Sequence, residues 1–575
     1  MGKNITDDQL KALISSARGE VKADLVLKNA RILNVFTGDL EDGDVAVTGG
    51  VIAGIGKYEG REEIDIGGRV ICPGLIDSHI HIESSMMAPA GFAKAVIPHG
   101  TVAVVTDPHE IANVAGEVGI SYMLESSRDL PMDVFFMLPS CVPATPLDEA
   151  GAVLDADSLA HFYSEERVLG LAELMNSYGT VRGDGEIIRK ILGAEKHGRN
   201  IDGHAPMLSG NELNAYVAAG VRSDHECSVF EEAEEKLRRG QWVMIREGTA
   251  AQNMELLLPL FDDKYCGRCL LVTDDKHAGD LIGKGHIDYI IRKAVKAGKN
   301  PYNCIRMATI NAAEYFGLKD RGAVAPGYVA DLIVVSGLED FKVEKVFKNG
   351  RLVSENGRMT VDVRPPVTDE GKYWRVLHSF NTREIKPEDL KVKGEGSKKR
   401  VIRLIPGEIL TDEVIVDAAD TEGINKIAVI ERHKNTGHIG TGFVTGYGLK
   451  KGAVASSIAH DSHNLIVVGT NDEDMALAAN TVRGNEGGLA IVCDGEILGS
   501  LALPIGGLMC DMDISEIEEK LSAMKEQARL LGVPEGIDPF MTLAFTALPV
   551  IPKLRILTKG VVDVGTQSYV PVIFD

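Results

Sequence analysis

The sequence predicts an α/β protein: a (β/α)8 TIM-type barrel inserted in a small β domain, followed by a C-terminal α/β domain. Three observations lead there. Eight apolar, strand-like runs alternate with helical stretches between Leu75 and Leu318. Similar β-rich pieces flank that region on both sides. A further mixture of strand and helix patterns begins at Val401. The corresponding boundaries are a helix over 1–21, the small β domain over 22–72 and 322–364, the barrel over 73–321, a linker over 365–400 and the last domain over 401–575.

The first segment reads as a capped helix. Thr6 and Gln9 have capping-box spacing, and Ile5 with Leu10 has the spacing of a hydrophobic staple. Leu10, Leu13 and Ile14 form an apolar stripe that predicts packing on the body of the protein. ADLVLKNARILNV, DVAVTGGVIAGIG and EEIDIGGRVICPG then read as short strands joined by turns. The pieces GAVAPGYVADLIVVSG and VEKVFKNGRLVSENG, far downstream, have the same character. They predict one β unit interrupted by an insert.

The insert carries the runs GLIDSHIHIE, GTVAVVTDPHE, MDVFFMLPS, VLGLAELMN, RNIDGHAP, GVRSDHE, WVMIREG and CLLVTDD. Helical stretches such as Gly185 to Gly198 and Phe230 to Gly240 lie between them. A doubly wound sheet is the competing topology, but no G-x-G-x-x-G follows an early strand. The stretch KVKGEGSKKR has linker composition. After it, INKIAVIERH, GFVTGYGL, NLIVVGT, GLAIVCDGEILGSLAL and SEIEEKLSAMKEQARLLG read as strands and a helix.

Composition narrows the function. The 575 residues are 44% hydrophobic and 25% charged, which is ordinary for a soluble globular chain. A net charge of −23 argues against general binding of nucleic acid or anionic membranes, which draws on clustered Lys and Arg. Eight cysteines are too sparse for a disulfide framework. The N-terminus lacks the pattern of a signal peptide, and no run approaches the roughly 18 apolar residues of a membrane span. The expected setting is cytoplasmic, and the default assembly is a homodimer.

The chemistry concentrates at strand ends. In a (β/α)8 barrel these gather at one mouth. His79 and His81 sit two apart on a strand and so share a face. Glu173, His204, His225 and Asp274 end four further runs. Six ligand-type residues at five strand ends are hard to obtain from core packing, because carboxylates are rarely buried unpaired. We therefore expect His79, His81 and Asp274 on one cation, His204 and His225 on a second, and Glu173 between them. Imidazole and carboxylate without thiolate suit Zn, Mn or Fe. Asp107-Pro-His109-Glu110 ends another run. It reads either as a turn that caps a helix or as a source of proton transfer and substrate binding.

PGLIDSHIHIESSMM, VTDPHEIANVAG, LAELMN, DGHAP, SDHE and VTDD, with ATINAAEYFGL, GAVAPGYVADLIVV and SSIAHDSHNLIVVG, resemble the amidohydrolase superfamily and, within it, the adenine deaminase family. The resemblance covers nearly the whole chain. Many members of the superfamily carry a carbamylated lysine on the fourth strand; here Glu173 takes that place. The resemblance implies hydrolytic deamination of adenine to hypoxanthine and ammonia, in purine salvage, by a metal-activated hydroxide attacking C6. It also implies a binuclear Mn2+ or Fe2+ centre, with Zn2+ as the alternative. Asp274 is then both ligand and base, and a protonated Glu110 or His109 supplies the ring-nitrogen proton. Asp275 is the weaker candidate, since adjacent strand residues point to opposite faces. The competing reading is another amidohydrolase acting on a cyclic amide or an N-acetyl sugar phosphate.

Remaining signals carry less. Cys266-Gly-Arg-Cys269 is a lone CxxC and reads as structural. GTGFVTGYGLKKG lacks the GK[ST] ending of a phosphate loop. Ser84, Ser85 and Met86 either shape a pocket or begin a helix, and Asn176 is at best a supporting hydrogen-bond partner. His460-Asp461-Ser462-His463 reads as a polar turn or a weak site, and nothing in the sequence places it near the barrel.

Overall fold

A computed structural model of the protein describes residues 5–249, 251–366, 369–406 and 409–575. The first four residues of the expected N-terminal segment lie outside the described residues. Among those described, no helix is long and apolar enough to cross a membrane.

The insert is a parallel barrel. Its strands are Leu75–His81, Thr101–Thr106, Asp133–Leu138, Val168–Leu174, Asn200–Gly203, Ser223–Asp224, Trp242–Arg246 and Cys269–Val272, the last continuing as Asp274–Asp275. Ladders run unbroken from the fifth strand back to the first and on to Asp274–Asp275, and from the sixth to the eighth. Between the fifth and sixth strands, the Arg222 amide donates to Ile201 O at 2.9 Å. At the other seam Asp274 pairs with Ile80, and the Thr273 amide donates to Asp77 Oδ1 at 3.2 Å. The cylinder thus closes. Alternation fills it: Ala103 and Val105 of the second strand pack in the interior cluster with Phe135, Met137 and Leu270. Val102 and Val104 face the surrounding helices. The interior is a packed core, so a site has room only at an end.

The two flanking β pieces meet in one nine-stranded sheet. Val70–Pro73, just before the barrel, pairs antiparallel with Leu332–Val335, just after it. A charged cluster ties this sheet to the lower end of the barrel. Lys348 Nζ donates to Asp133 Oδ2 at 2.8 Å and to Asp331 Oδ2 at 2.7 Å, and Arg321 Nε reaches Asp133 Oδ2 at 2.8 Å.

The N-terminal helix, Asp7–Ala17, has the expected capping box from Thr6 and Gln9. Its apolar stripe departs from expectation: Leu10 and Ile14 are about half exposed. The helix instead docks through buried Ser16, whose hydroxyl meets Thr48 Oγ1 at 2.7 Å, with Leu13 and Ala17 alongside. The stretch expected as a linker is anchored to the barrel. Tyr373 and Val376 are buried, and the Tyr373 hydroxyl donates to Glu125 Oε2 at 2.6 Å.

From Lys398 onward a second nine-stranded sheet forms, its helix Asp472–Gly484 laid over Ala453–Ser456, Leu465–Gly469 and Gly488–Cys493. This region is seated on the barrel mouth. Cys510 N donates to Met86 O at 3.0 Å and Ala88 N to Cys510 O at 3.0 Å, and Asn464 Nδ2 donates to Glu149 O at 2.8 Å.

Burial alone would raise the carboxyl of Asp133, but Lys348 and Arg321 outweigh it and hold it at about 2. A carboxyl depressed from its ordinary value near 3.9 stabilises the fold above that value, and the contribution is lost as pH falls toward 2. Asp133→Asn is therefore expected to cost about 1–3 kcal/mol at pH 7. Urea melts of both proteins between pH 7 and 3 should show the gap narrowing below about pH 4. A gap that stays constant would remove this cluster from the acid sensitivity.

Candidate metal centre and active site

Glu173, at the end of the fourth strand, is the hub of the mouth. Its Oε1 lies 3.4 Å from His81 Nε2, and its Oε2 lies 2.6 Å from His204 Nδ1 and 3.2 Å from His225 Nε2. Asp274 Oδ1 lies 3.1 Å from His81 Nε2 and 3.5 Å from His79 Nε2. The six residues singled out from sequence therefore converge. His79, His81 and Asp274 form one tight group; His204, His225 and Glu226 form another, with Glu173 spanning them.

These donors fit divalent cations. His79 Nε2 is buried with no hydrogen-bond partner among the described residues, an arrangement that costs free energy unless something electrophilic fills it. Burial and the neighbouring His225 push its pKa down, so the ring keeps a lone pair. The ring of His81 is held by its other nitrogen, with Nδ1 3.0 Å from Asp107 O. That leaves Nε2 aimed at Glu173 and Asp274, the usual division of labour in a metal-binding imidazole.

Two residues here escaped the sequence reading, and a third was only its weaker candidate. Glu226 follows His225 and reaches the same group. Arg246 ends the seventh strand, donating from Nη1 to Asp274 Oδ2 at 2.8 Å and from Nη2 to Glu226 Oε2 at 3.1 Å. It neutralises the outer oxygens and leaves Asp274 Oδ1 facing the imidazoles. The strand Trp242–Arg246 ends in this arginine, but a cation among metal ligands gives no signal without the fold. Asp275 is the third. Asp274 adopts a left-handed φ of 56°, which breaks strand alternation. Asp275 therefore also lines the mouth and accepts from Ser84 Oγ at 2.5 Å.

The second strand end places His109 between carboxylates. Its Nδ1 is 2.9 Å from Asp107 Oδ2, and its Nε2 is 3.4 Å from Glu110 Oε1. Burial disfavours its charge, but Asp107 and Glu110 outweigh that and raise its pKa well above the ordinary value.

Glu110 reaches across to the C-terminal region. His460 Nδ1 lies 2.9 Å from its Oε1, and His463 Nε2 bonds its Oε2. The Ala459 amide donates to His463 Nδ1 at 3.2 Å, so the ring carries its proton on Nε2 and donates to Glu110. Burial would raise the Glu110 carboxyl, yet His460 and His463 hold it well below its usual range. It thus accepts from His463 Nε2, while the sequence offers either a protonated Glu110 or His109 as the donor. The turn His460–His463 is part of the site, which no sequence argument could place.

Over these groups lies a cavity of about 500 Å³. Its polar floor is the strand-end cluster; its roof is apolar and comes from the C-terminal region, including Phe545, Leu548 and Val550. Phe545 stacks on His460 with centroids 4.7 Å apart. Elsewhere, Cys266 and Cys269 are buried, free thiols, and Asn311 Nδ2 binds both of their carbonyls, a packing role.

Two family models match the chain. One, described as the amidohydrolase family, matches residues 70–353; the other, described as the adenine deaminase C-terminal domain, matches residues 406–568. Adenine deaminase 2 of Carboxydothermus hydrogenoformans is 50% identical over 572 residues, covering 98% of this chain and 99% of that protein. Adenine deaminase of Desulfatibacillum aliphaticivorans is 46% identical, with 98% and 99% covered. Adenine deaminase of Geobacillus kaustophilus is 44% identical, with 97% and 98% covered.

Glu173 contacts both ligand groups, so its truncation should do more than the loss of any one imidazole. Glu173→Ala is expected to lose most of its bound divalent metal, read by elemental analysis, while His204→Ala keeps a larger share. Metal retained at the unmodified level in Glu173→Ala would remove the glutamate from the centre.

Proposed function

The chain belongs to the adenine deaminase family of amidohydrolases, and we propose that its mouth cluster catalyses the hydrolytic deamination of adenine to hypoxanthine and ammonia. Extended identity to adenine deaminases along the whole chain carries the substrate; the convergence on Glu173 supports the chemistry. We assign the division of the chain to the sequence-derived boundaries, with the barrel over 73–321 as the catalytic unit.

His79, His81 and Asp274 would hold one cation and His204 and His225 a second, with Glu173 between and Glu226 available to the second. Mn2+ or Fe2+ suits this set, with Zn2+ compatible. Bound there, such ions supply the Lewis acidity that makes a water acidic enough to attack near neutral pH.

The chain's own groups move the protons. Asp274 accepts one proton from the attacking water as its oxygen bonds to C6. His109, flanked by two carboxylates, donates to N1 and so lets the ring accept the electron pair. Asp274 then returns its proton to the exocyclic nitrogen, the C6–N bond breaks, and ammonia leaves. The hydroxyl proton on C6 restores His109, which leaves hypoxanthine protonated at N1. Glu110 orients and charges His109 from one side while His460 and His463 fix Glu110 from the other. The apolar roof excludes bulk water, which strengthens every one of these interactions.

Ammonia release from adenine, with adenosine, guanine and cytosine in parallel, tests the reading. Turnover of adenine by protein expressed with Mn2+ and with iron chelated is expected; no turnover of any base by metal-replete protein would overturn it. Glu110→Gln is expected to lower kcat by about 10²–10⁴-fold with metal content intact. Unchanged turnover would take Glu110 out of the mechanism.

A further inference from the structure

Asp461 is a carboxylate at the edge of the cavity without a hydrogen-bond partner among the described residues. It is 3% exposed and lines the same space as the strand-end cluster. Its Oδ2 is buried with no hydrogen-bond partner among the described residues. Its Oδ1 lies 3.9 Å from His460 Nδ1 and 4.0 Å from His109 Nε2, both beyond hydrogen-bond reach. The donors around it are committed elsewhere. His460 Nδ1 and His463 Nε2 are directed at Glu110, and His109 Nε2 lies closer to Glu110 Oε1, at 3.4 Å, than to Asp461. A buried carboxylate left short of donors is costly, and its place on a cavity wall marks where a ligand donor fits.

The spacing says which part of a ligand. His109 Nδ1 is 3.5 Å from Glu173 Oε1, while its Nε2 faces Asp461. One imidazole ring thus separates the hub of the ligand cluster from Asp461. A purine with C6 at the cluster puts its five-membered ring one ring further on. The free base carries an N–H on that ring; a nucleoside has lost it to the glycosidic bond and, in the N9-linked form, offers only the acceptor N7 there.

We infer that Asp461 accepts a hydrogen bond from the five-membered-ring N–H of the purine and is the specificity-determining residue for the free base over N9-substituted forms. The inference rests on the adenine-deamination reading. A site built around such a bond rejects an analogue lacking the donor strongly, because its own buried group is left unpaired.

The test compares kcat/KM for adenine and 9-methyladenine in the metal-replete full chain, in Asp461→Ala and in Asp461→Asn. The unmodified protein is expected to favour adenine by about 10³-fold or more. Asp461→Ala should shrink that ratio by about 10²-fold, and Asp461→Asn, which retains an acceptor oxygen, should fall between. The ratio is insensitive to a general loss of folded protein, so a merely structural role would not move it. Should the alanine variant turn over neither base, the same ratio is read from binding of hypoxanthine and 9-methylhypoxanthine. A ratio unchanged in both variants overturns the inference. Absence of adenine turnover in the unmodified protein overturns the functional reading instead.

Discussion

The rest of the molecule is arranged around the cost of burying Glu173. This carboxylate is 3% exposed, and a charge so placed is tolerated only among groups that compensate it. His81, His204 and His225 surround it, each delivered by a different strand. A closed ring of parallel strands aims side chains from nonadjacent parts of a sequence at one point. The packed interior below, with Phe135, Met137 and Leu270, makes that point rigid. Arg246 completes the balance by neutralising the far sides of Asp274 and Glu226.

The barrel does not finish its own site. Glu110 stands on the second strand end, yet the groups that hold it ionised are His460 and His463, more than three hundred residues away. The histidine tautomer that makes this contact is set locally by the Ala459 amide. The C-terminal region therefore contributes directed polar contacts as well as an apolar roof. Its seating through Cys510 and Asn464 fixes their position.

Much of this was legible from sequence because strand periodicity and ligand chemistry are local. H-x-H, and Glu, His or Asp at the ends of apolar runs, expose the cluster before any fold is known. What stayed hidden depended on three-dimensional facts. The backbone reversal at Asp274 overrides the two-residue alternation that had set Asp275 aside. Arg246 is a cation, and a cation carries no metal-ligand signal in a sequence. The turn at His460 has no periodic relation to the barrel, so only packing shows that it faces Glu110. At the N-terminus, the stripe of Leu10 and Ile14 misled because a polar contact from Ser16 to Thr48 sets the helix rotation instead.

The pairing of Val70–Pro73 with Leu332–Val335 bears on how the chain assembles during synthesis. The earlier strand emerges about 260 residues before its partner. At typical elongation speeds that is a wait on the order of tens of seconds. Throughout it, the growing chain carries an unfinished edge, while the barrel strands between them emerge in order. The sheet is then completed by segments that barrel closure brings side by side. That junction ties the two events together: a nascent chain stalled before Leu332 lacks the strand that covers this edge, and an uncovered edge is a template for pairing with another chain.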